Sequence, residues 1–146
     1  MTLNFEPYIG APPLRFGITT KEASAILGEP GSVQINTAGP AGREFTFDEM
    51  RLAFDTNDHL YQIGFDKNFT GTLLYNGTDI LRHSEALKLL SEIDGKPCVW
   101  VGFIMLMNLG LRLGGYHEEA DEGRTVSIFN RGRYDSKISR LTPFVM

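Results

Sequence analysis

The stretch "YHEEADEGR" holds His117, Glu118, Glu119, Asp121 and Glu122 in close succession. Donors at this density are the raw material of a metal site. A calcium loop, however, wants oxygen ligands at alternate positions around a central glycine, and this run has a different spacing. A zinc site needs histidine or cysteine ligands that converge. His59, His83 and His117 stand far apart in the chain, so no metal is expected. The segment reads as a solvated loop between two strands, with carboxylates free to meet a partner. Asp55 and Asp58 in "DTNDH" form a second acidic turn.

Other chemistry finds little support. An acid–base pair needs one carboxyl whose pKa is raised in an apolar pocket. Asp48, Glu49, Asp55 and Asp58 all fall at predicted turns, where water keeps them ordinary. The chain has no Gly-x-Ser-x-Gly elbow and no phosphate-binding glycine loop followed by lysine. "AGPAGR" is glycine-rich, but its proline removes a donor and no helix opens behind it. Cys98, between Pro97 and "VW", reads as a buried structural thiol rather than an activated nucleophile. Asp79 and His83 would share a face if that segment were helical, though Thr78 to Arg82 is not clearly a helix, and they are one example of a site assembled from distant residues. No catalytic residue and no cofactor are expected.

The elements that would position these residues are legible from pattern. Thr19 and Glu22 have capping-box spacing. Ala23, Ile26 and Leu27 fall on one helical face, and Gly28 and Pro30 end the helix. "REFTF" alternates through Phe45 and Phe47, "MRLAF" through Met50, Leu52 and Phe54, and "LYQIGF" through Tyr61, Ile63 and Phe65. "TGTLLY" adds a further strand before the Asn76-Gly77 turn. A second helix follows in "SEALKLLSEIDGKP", with Ser84 as cap and Leu87, Leu90 and Ile93 as buried stripe. "CVWVGFIMLM", "LGLRLGGY" and "RTVSIF" supply more strands, with Trp100 in or beside the core and Val126 and Ile128 inward. Short polar connections imply antiparallel hairpins. The fold class is therefore α+β: a mainly antiparallel sheet with two short helices packed on one face. Residues 1–146 form a single domain. The order helix, Gly-x-Pro stop, hairpin strands occurs twice, which leaves two layouts open: two similar halves, 14–75 and 78–130, or one meander with no internal symmetry.

Composition sets the outer limits. The chain has 146 residues, is 42% hydrophobic and carries a net charge of −4. It can bury a core of its own, and its charge argues against nucleic acid and mildly for a basic partner. The single cysteine forms no intrachain disulfide. The opening "MTLNFEPYIG" lacks the basic and apolar regions of a signal peptide. The apolar run Cys98–Met107 is far shorter than the ~20 residues a spanning helix needs. A cytoplasmic protein with no membrane role is expected, and the sequons at Asn68 and Asn76 are then chance matches.

Gly17, Thr19, Ala23, Leu27, Gly28 and Pro30 resemble the "G-x-T-x-x-x-(apolar)-x-x-x-L-G-x-P" opening of small α+β proteins. These include the small-protein-A type lipoproteins of outer-membrane barrel assembly and the β-lactamase-inhibitor-protein fold. The likeness covers about fifteen residues. Those families are exported and the inhibitor uses disulfides, so the resemblance bears on fold. In size, acidity and layout the chain also looks like cytosolic immunity proteins paired with secreted bacterial toxins.

Three readings follow. The first is a non-enzymatic module that neutralises a protein partner, a basic toxin domain or effector. Its contact would be an acidic patch of Asp55, Asp58, Glu118, Glu119, Asp121 and Glu122 with Tyr116 as anchor. The second is a small-molecule binder with a cleft between sheet and helices. The third is an enzyme.

Overall fold

The computed structural model describes residues 1–35, 42–47, 49–116 and 123–145. Glu118, Glu119, Asp121 and Glu122 lie outside the described residues, as do His117 and Asp48. The structure is mixed α and β, and its sheet is mostly antiparallel.

In chain order the elements are β1 (Thr2–Asn4), β2 (Gly10–Ala11), β3 (Leu14–Arg15), α1 (Thr20–Leu27), β4 (Ser32–Ile35), β5 (Gly42–Phe47), β6 (Met50–Asp55), β7 (Leu60–Phe65), β8 (Thr72–Tyr75), β9 (Thr78–Asp79), α2 (Ala86–Asp94), β10 (Cys98–Trp100), β11 (Phe103–Leu106), β12 (Leu111–Gly114), β13 (Thr125–Phe129), a 3-10 helix (Asp135–Arg140) and β14 (Thr142–Pro143). One nine-stranded sheet runs β14-β10-β11-β12-β13-β7-β6-β5-β4. Its middle seam pairs β13 with β7, which are far apart in sequence. The two meanders β4–β7 and β10–β13 therefore meet through their last strands.

Helix α1 forms where the capping pattern places it. Glu22 N donates to Thr19 Oγ1 at 3.2 Å, and Thr19 N donates to Glu22 Oε1 at 3.1 Å. Gly28 ends the helix at φ +88°, a conformation open chiefly to glycine. Ala23 is the residue the helix buries fully, and Leu27 packs in part, whereas Ile26 is 40% exposed. The helix is pinned at its start rather than along a wide apolar face. Asp58, from the β6–β7 turn, accepts from Thr20 N at 3.3 Å and from Thr20 Oγ1 at 3.1 Å. A carboxylate there meets free backbone donors and the positive end of the helix.

Helix α2 departs from its expected register. Its N-cap is Glu85 rather than Ser84, and no side chain caps it. His83 takes part of that role, since Glu85 N donates to His83 Nδ1 at 3.0 Å. The buried face runs through Ala86, Leu90, Ser91 and Asp94, while Leu89 and Ile93 are exposed. Asp94 explains the rotation. Its Oδ1 accepts from Asn108 N at 2.9 Å and Leu109 N at 3.0 Å, closing the β11–β12 turn. A buried carboxylate with that many donors fixes the face that turns inward.

Two further expectations change. "TGTLLY" does not extend the large sheet: β8 pairs in parallel with β1 and antiparallel with β9. The chain start supplies the missing edge, so the β8–β9 hairpin straddles the expected boundary between residues 75 and 78. In β7 a bulge shifts the register, with Phe54 opposite Leu60 and Ala53 opposite Gln62. Leu60, Ile63 and Phe65 then face the main core, and Tyr61 is the extra residue of the bulge.

The large sheet has two unlike faces. One carries Phe45, Phe47, Leu52, Phe54, Ile63, Phe65, Ile104, Leu106, Leu111, Leu113, Val126 and Ile128 into one core cluster. Ala23 of α1 and Ala86 and Leu90 of α2 belong to that same cluster. The other face is built by the alternate residues. There Met105, Phe129 and Tyr134 form a smaller core, with Cys98, Trp100, Phe103 and Met107 packed against it. Trp100 is thus half-buried beside a core, with its ring 5.8 Å from that of Tyr134. Among the described residues, no helix is long and apolar enough to cross a membrane.

Candidate functional site

The second face of the sheet gathers cations that the core face excludes. In "LGLRLGGY" the leucines alternate with Arg112, so burying Leu111 and Leu113 forces the arginine onto the opposite side. Its guanidinium lies 4.5 Å from the centre of the Phe103 ring. It donates from Nη1 to Tyr134 Oη at 2.8 Å and from Nη2 to Ser127 Oγ at 3.2 Å. Tyr134 is 1% exposed, wedged between Phe129 and Trp100 with ring centres 4.7 and 5.8 Å away. Its hydroxyl donates onward to Gln62 Oε1 at 3.3 Å.

Arg133 completes the network. Its Nε donates to the same Gln62 oxygen at 3.1 Å, and its guanidinium lies 4.2 Å from the Tyr134 ring centre. Arg131 lies 4.3 Å from the Tyr8 ring centre, and Lys137 lies 5.7 Å from that of Trp100. Burial raises the pKa of Tyr8 and the Arg131 charge opposes that rise; its hydroxyl donates to the Met107 carbonyl. Among the described residues, neither Arg112, Arg131 nor Arg133 has a carboxylate within 4.0 Å. Stacked and hydrogen-bonded arginines lose little further freedom when they bind. The arrangement is a preorganised cationic surface with aromatic backing.

Towards β4 the same face becomes polar and open. Strand register aligns one row across it: Cys98, Met105, Arg112, Ser127, Gly64, Arg51, Thr46, Ser32. Arg51 is bound by Asp66 through Nη1 at 3.1 Å, and Ser32 and Thr46 share a hydroxyl bond at 3.0 Å.

Of the residues expected to form the acidic contact, Asp55, Asp58 and Tyr116 lie among the described residues, and each makes structural bonds there. Asp55 Oδ1 accepts from Asn57 N at 2.9 Å and His59 N at 3.0 Å, so it shapes its own turn. Asp58 holds α1, as described above. Tyr116 is 5% exposed, and its hydroxyl donates to the Ile80 carbonyl at 2.5 Å. Arg124 stacks 4.4 Å from the Tyr116 ring centre and donates to the His83 carbonyl at 2.8 Å, so this pair pins residues 80–83. Asp79 Oδ1 accepts from Leu81 N at 3.0 Å, while His83 Nδ1 caps α2, so the two side chains do separate structural jobs. Among the described residues, no three His, Cys, Asp or Glu side chains gather where a metal ion would fit.

Cys98 is partly exposed rather than buried. It lines a cleft of about 330 Å³ with Lys96, Met107, Asn108, Ile138, Leu141 and Pro143, between the sheet edge and the 3-10 helix. No protein-family model, curated protein or solved structure matches this chain.

The basic tail from Arg131 is visible in the sequence, and so is the leucine–arginine alternation around Arg112. Nothing in the sequence indicates that they meet. Their junction is the β7–β13 seam, which joins residues 62–65 to residues 126–129.

Proposed function

We propose that the protein is a non-enzymatic, cytoplasmic binding module of the immunity or inhibitor kind. Its contact surface is the cationic, aromatic-backed face of the large sheet. The observation that carries this reading is Arg112, fixed by Phe103, Tyr134 and Ser127 with no described carboxylate beside it. Arginine and aromatic side chains held in this way are the usual anchors of protein interfaces. On this reading the face meets an acidic patch of its partner, whereas net charge alone pointed to a basic one.

The same reading takes the chain as two similar halves, each a helix followed by a four-stranded meander, with both helices covering the core face. That cover leaves the opposite face available outside its own smaller core. A second reading, a small-molecule binder, is favoured by the cleft beside Cys98 and Met107.

The test starts from affinity purification of the tagged protein from its source cells, followed by calorimetry on the purified pair. The double variant Arg112→Glu, Arg133→Glu should weaken binding at least tenfold, about 1.4 kcal/mol, mostly through faster dissociation. Glu118→Lys and Glu119→Lys should leave affinity unchanged. If the acidic-loop variants weaken binding and the arginine variants do not, the contact lies at the loops and this reading fails.

A further inference from the structure

The centre of the polar row has a feature that general charge does not explain. Gly64 stands directly opposite Ser127 on one side and Arg51 on the other. It has no positive φ, so the backbone does not demand glycine there. The room left by the missing side chain is taken by Arg51: a Cβ at this position would lie 3.4 Å from both Nε and Nη2 of Arg51. The Arg51 side chain therefore lies across Gly64 towards Ser127, and Arg112 reaches Ser127 from the other side with Nη2 at 3.2 Å. Ser127 and Gly64 belong to adjacent strands, which lie about 4.8 Å apart. One guanidinium thus lies over Gly64 and the other at Ser127, the residue paired with it.

Each is held with donors to spare. Asp66 takes only Nη1 of Arg51, at 3.1 Å. The Nε–Nη2 side, which matches two oxygens of a carboxylate or phosphate, is the side over Gly64. Arg112 uses one hydrogen from each Nη for Tyr134 and Ser127, and a guanidinium carries five N–H donors in all. Ser127 Oγ accepts from Arg112 and keeps its own hydrogen to donate. Among the described residues, the one carboxylate paired with either guanidinium is that of Asp66, against the charges of Arg51 and Arg112.

We propose that the Arg51–Gly64–Ser127–Arg112 row is an oxyanion-binding site, built to take a single carboxylate or phosphate group. An anion seated between the two guanidinium groups accepts from Arg51 on one side and from Arg112 and the Ser127 hydroxyl on the other. It relieves the repulsion between the two cations. The site lies on the same face as the proposed protein contact and rests in part on that reading, but it needs no partner to be tested.

The probes are inorganic phosphate and glutarate, titrated separately at constant ionic strength and followed by amide chemical shifts. Saturable shifts centred on Gly64 and Ser127 are expected with at least one of them. Preference for phosphate would point to a free anion or phosphorylated group, and preference for glutarate to an acidic side chain of the partner. Arg51→Gln should weaken binding at least tenfold. Gly64→Val should do the same with no change of charge, because the added side chain displaces Arg51. Arg43→Gln, elsewhere on the surface, should leave binding intact. Should Gly64→Val fail to fold, Arg51→Gln, at a half-exposed side chain, remains decisive. Absence of saturable shifts with both anions, or equal binding by the Arg51 and Arg43 variants, overturns the proposal. Neither outcome bears on whether a protein partner is captured.

Discussion

Replacing Val101 by asparagine should stabilise the protein. Val101 and Gly102 form the two-residue turn between β10 and β11, with φ of +48° and +82°. The chain contains a near copy of this turn: Asn76 and Gly77, between β8 and β9, have φ of +51° and +81°. Positive φ at both central residues is the signature of a type I′ hairpin, for which Asn-Gly is the favoured pair. A β-branched residue in that conformation is a genuine outlier. The left-handed region costs an ordinary L-residue roughly 1–2 kcal/mol, and asparagine much less. Against this stands the burial lost with valine. Val101 is 76% exposed, so about a quarter of the 1.5–3 kcal/mol for a fully buried valine is at stake, or ~0.5 kcal/mol. The net expectation is a gain of about 1 kcal/mol, which for a domain of this size raises the melting temperature by about 3 °C. Val101→Gly removes the same strain but adds backbone freedom to the unfolded chain, so it should gain less than asparagine. Thermal unfolding of the three proteins by circular dichroism checks the order Asn, Gly, Val. A Val101→Asn protein that melts at or below the parent temperature would show that the turn carries no such strain.

The carboxylate of Asp58 should be worth about 1 kcal/mol through Thr20 and α1. Asp58→Ala should lower the denaturant midpoint, and Asp58→Asn, which tolerates the +62° φ at this position, should lower it less; equal stability of both to the parent would remove Asp58 from the cap. Tyr116→Phe deletes a buried bond to the Ile80 carbonyl and should cost about 1–2 kcal/mol near neutral pH. Burial raises the Tyr116 pKa above 10.0, with Arg124 opposing. The fold therefore holds that phenol proton more tightly than the unfolded chain. The resulting stabilisation is complete below pH ~10 and declines as pH rises further. Tyr116→Phe should flatten that alkaline decline, as measured by urea unfolding between pH 9 and pH 11; an unchanged slope would refute the assignment.

Elements whose cause is local could be read from the sequence. The Thr19–Glu22 box, the glycine stop at residue 28, and the alternation through Phe45–Phe47, Met50–Phe54 and Val126–Ile128 each depend on residues a few positions apart. Their period and punctuation specify the element without help from elsewhere. The α2 face did not follow its apolar pattern, because Asp94 had to reach the 108–109 amides. That contact lies beyond the helix. The role of Tyr61 was likewise decided by a register shift against β6. Asp58 reads as an ordinary turn carboxylate until α1 is brought over it. The acidic balance of the whole chain gave no sign of a cationic face, because net charge is a sum and a binding surface is a location. The β7–β13 pairing, which sets Arg51, Gly64, Ser127 and Arg112 side by side, joins positions more than sixty residues apart. Such a pairing is fixed by the burial of one shared core, and no short-range pattern encodes it.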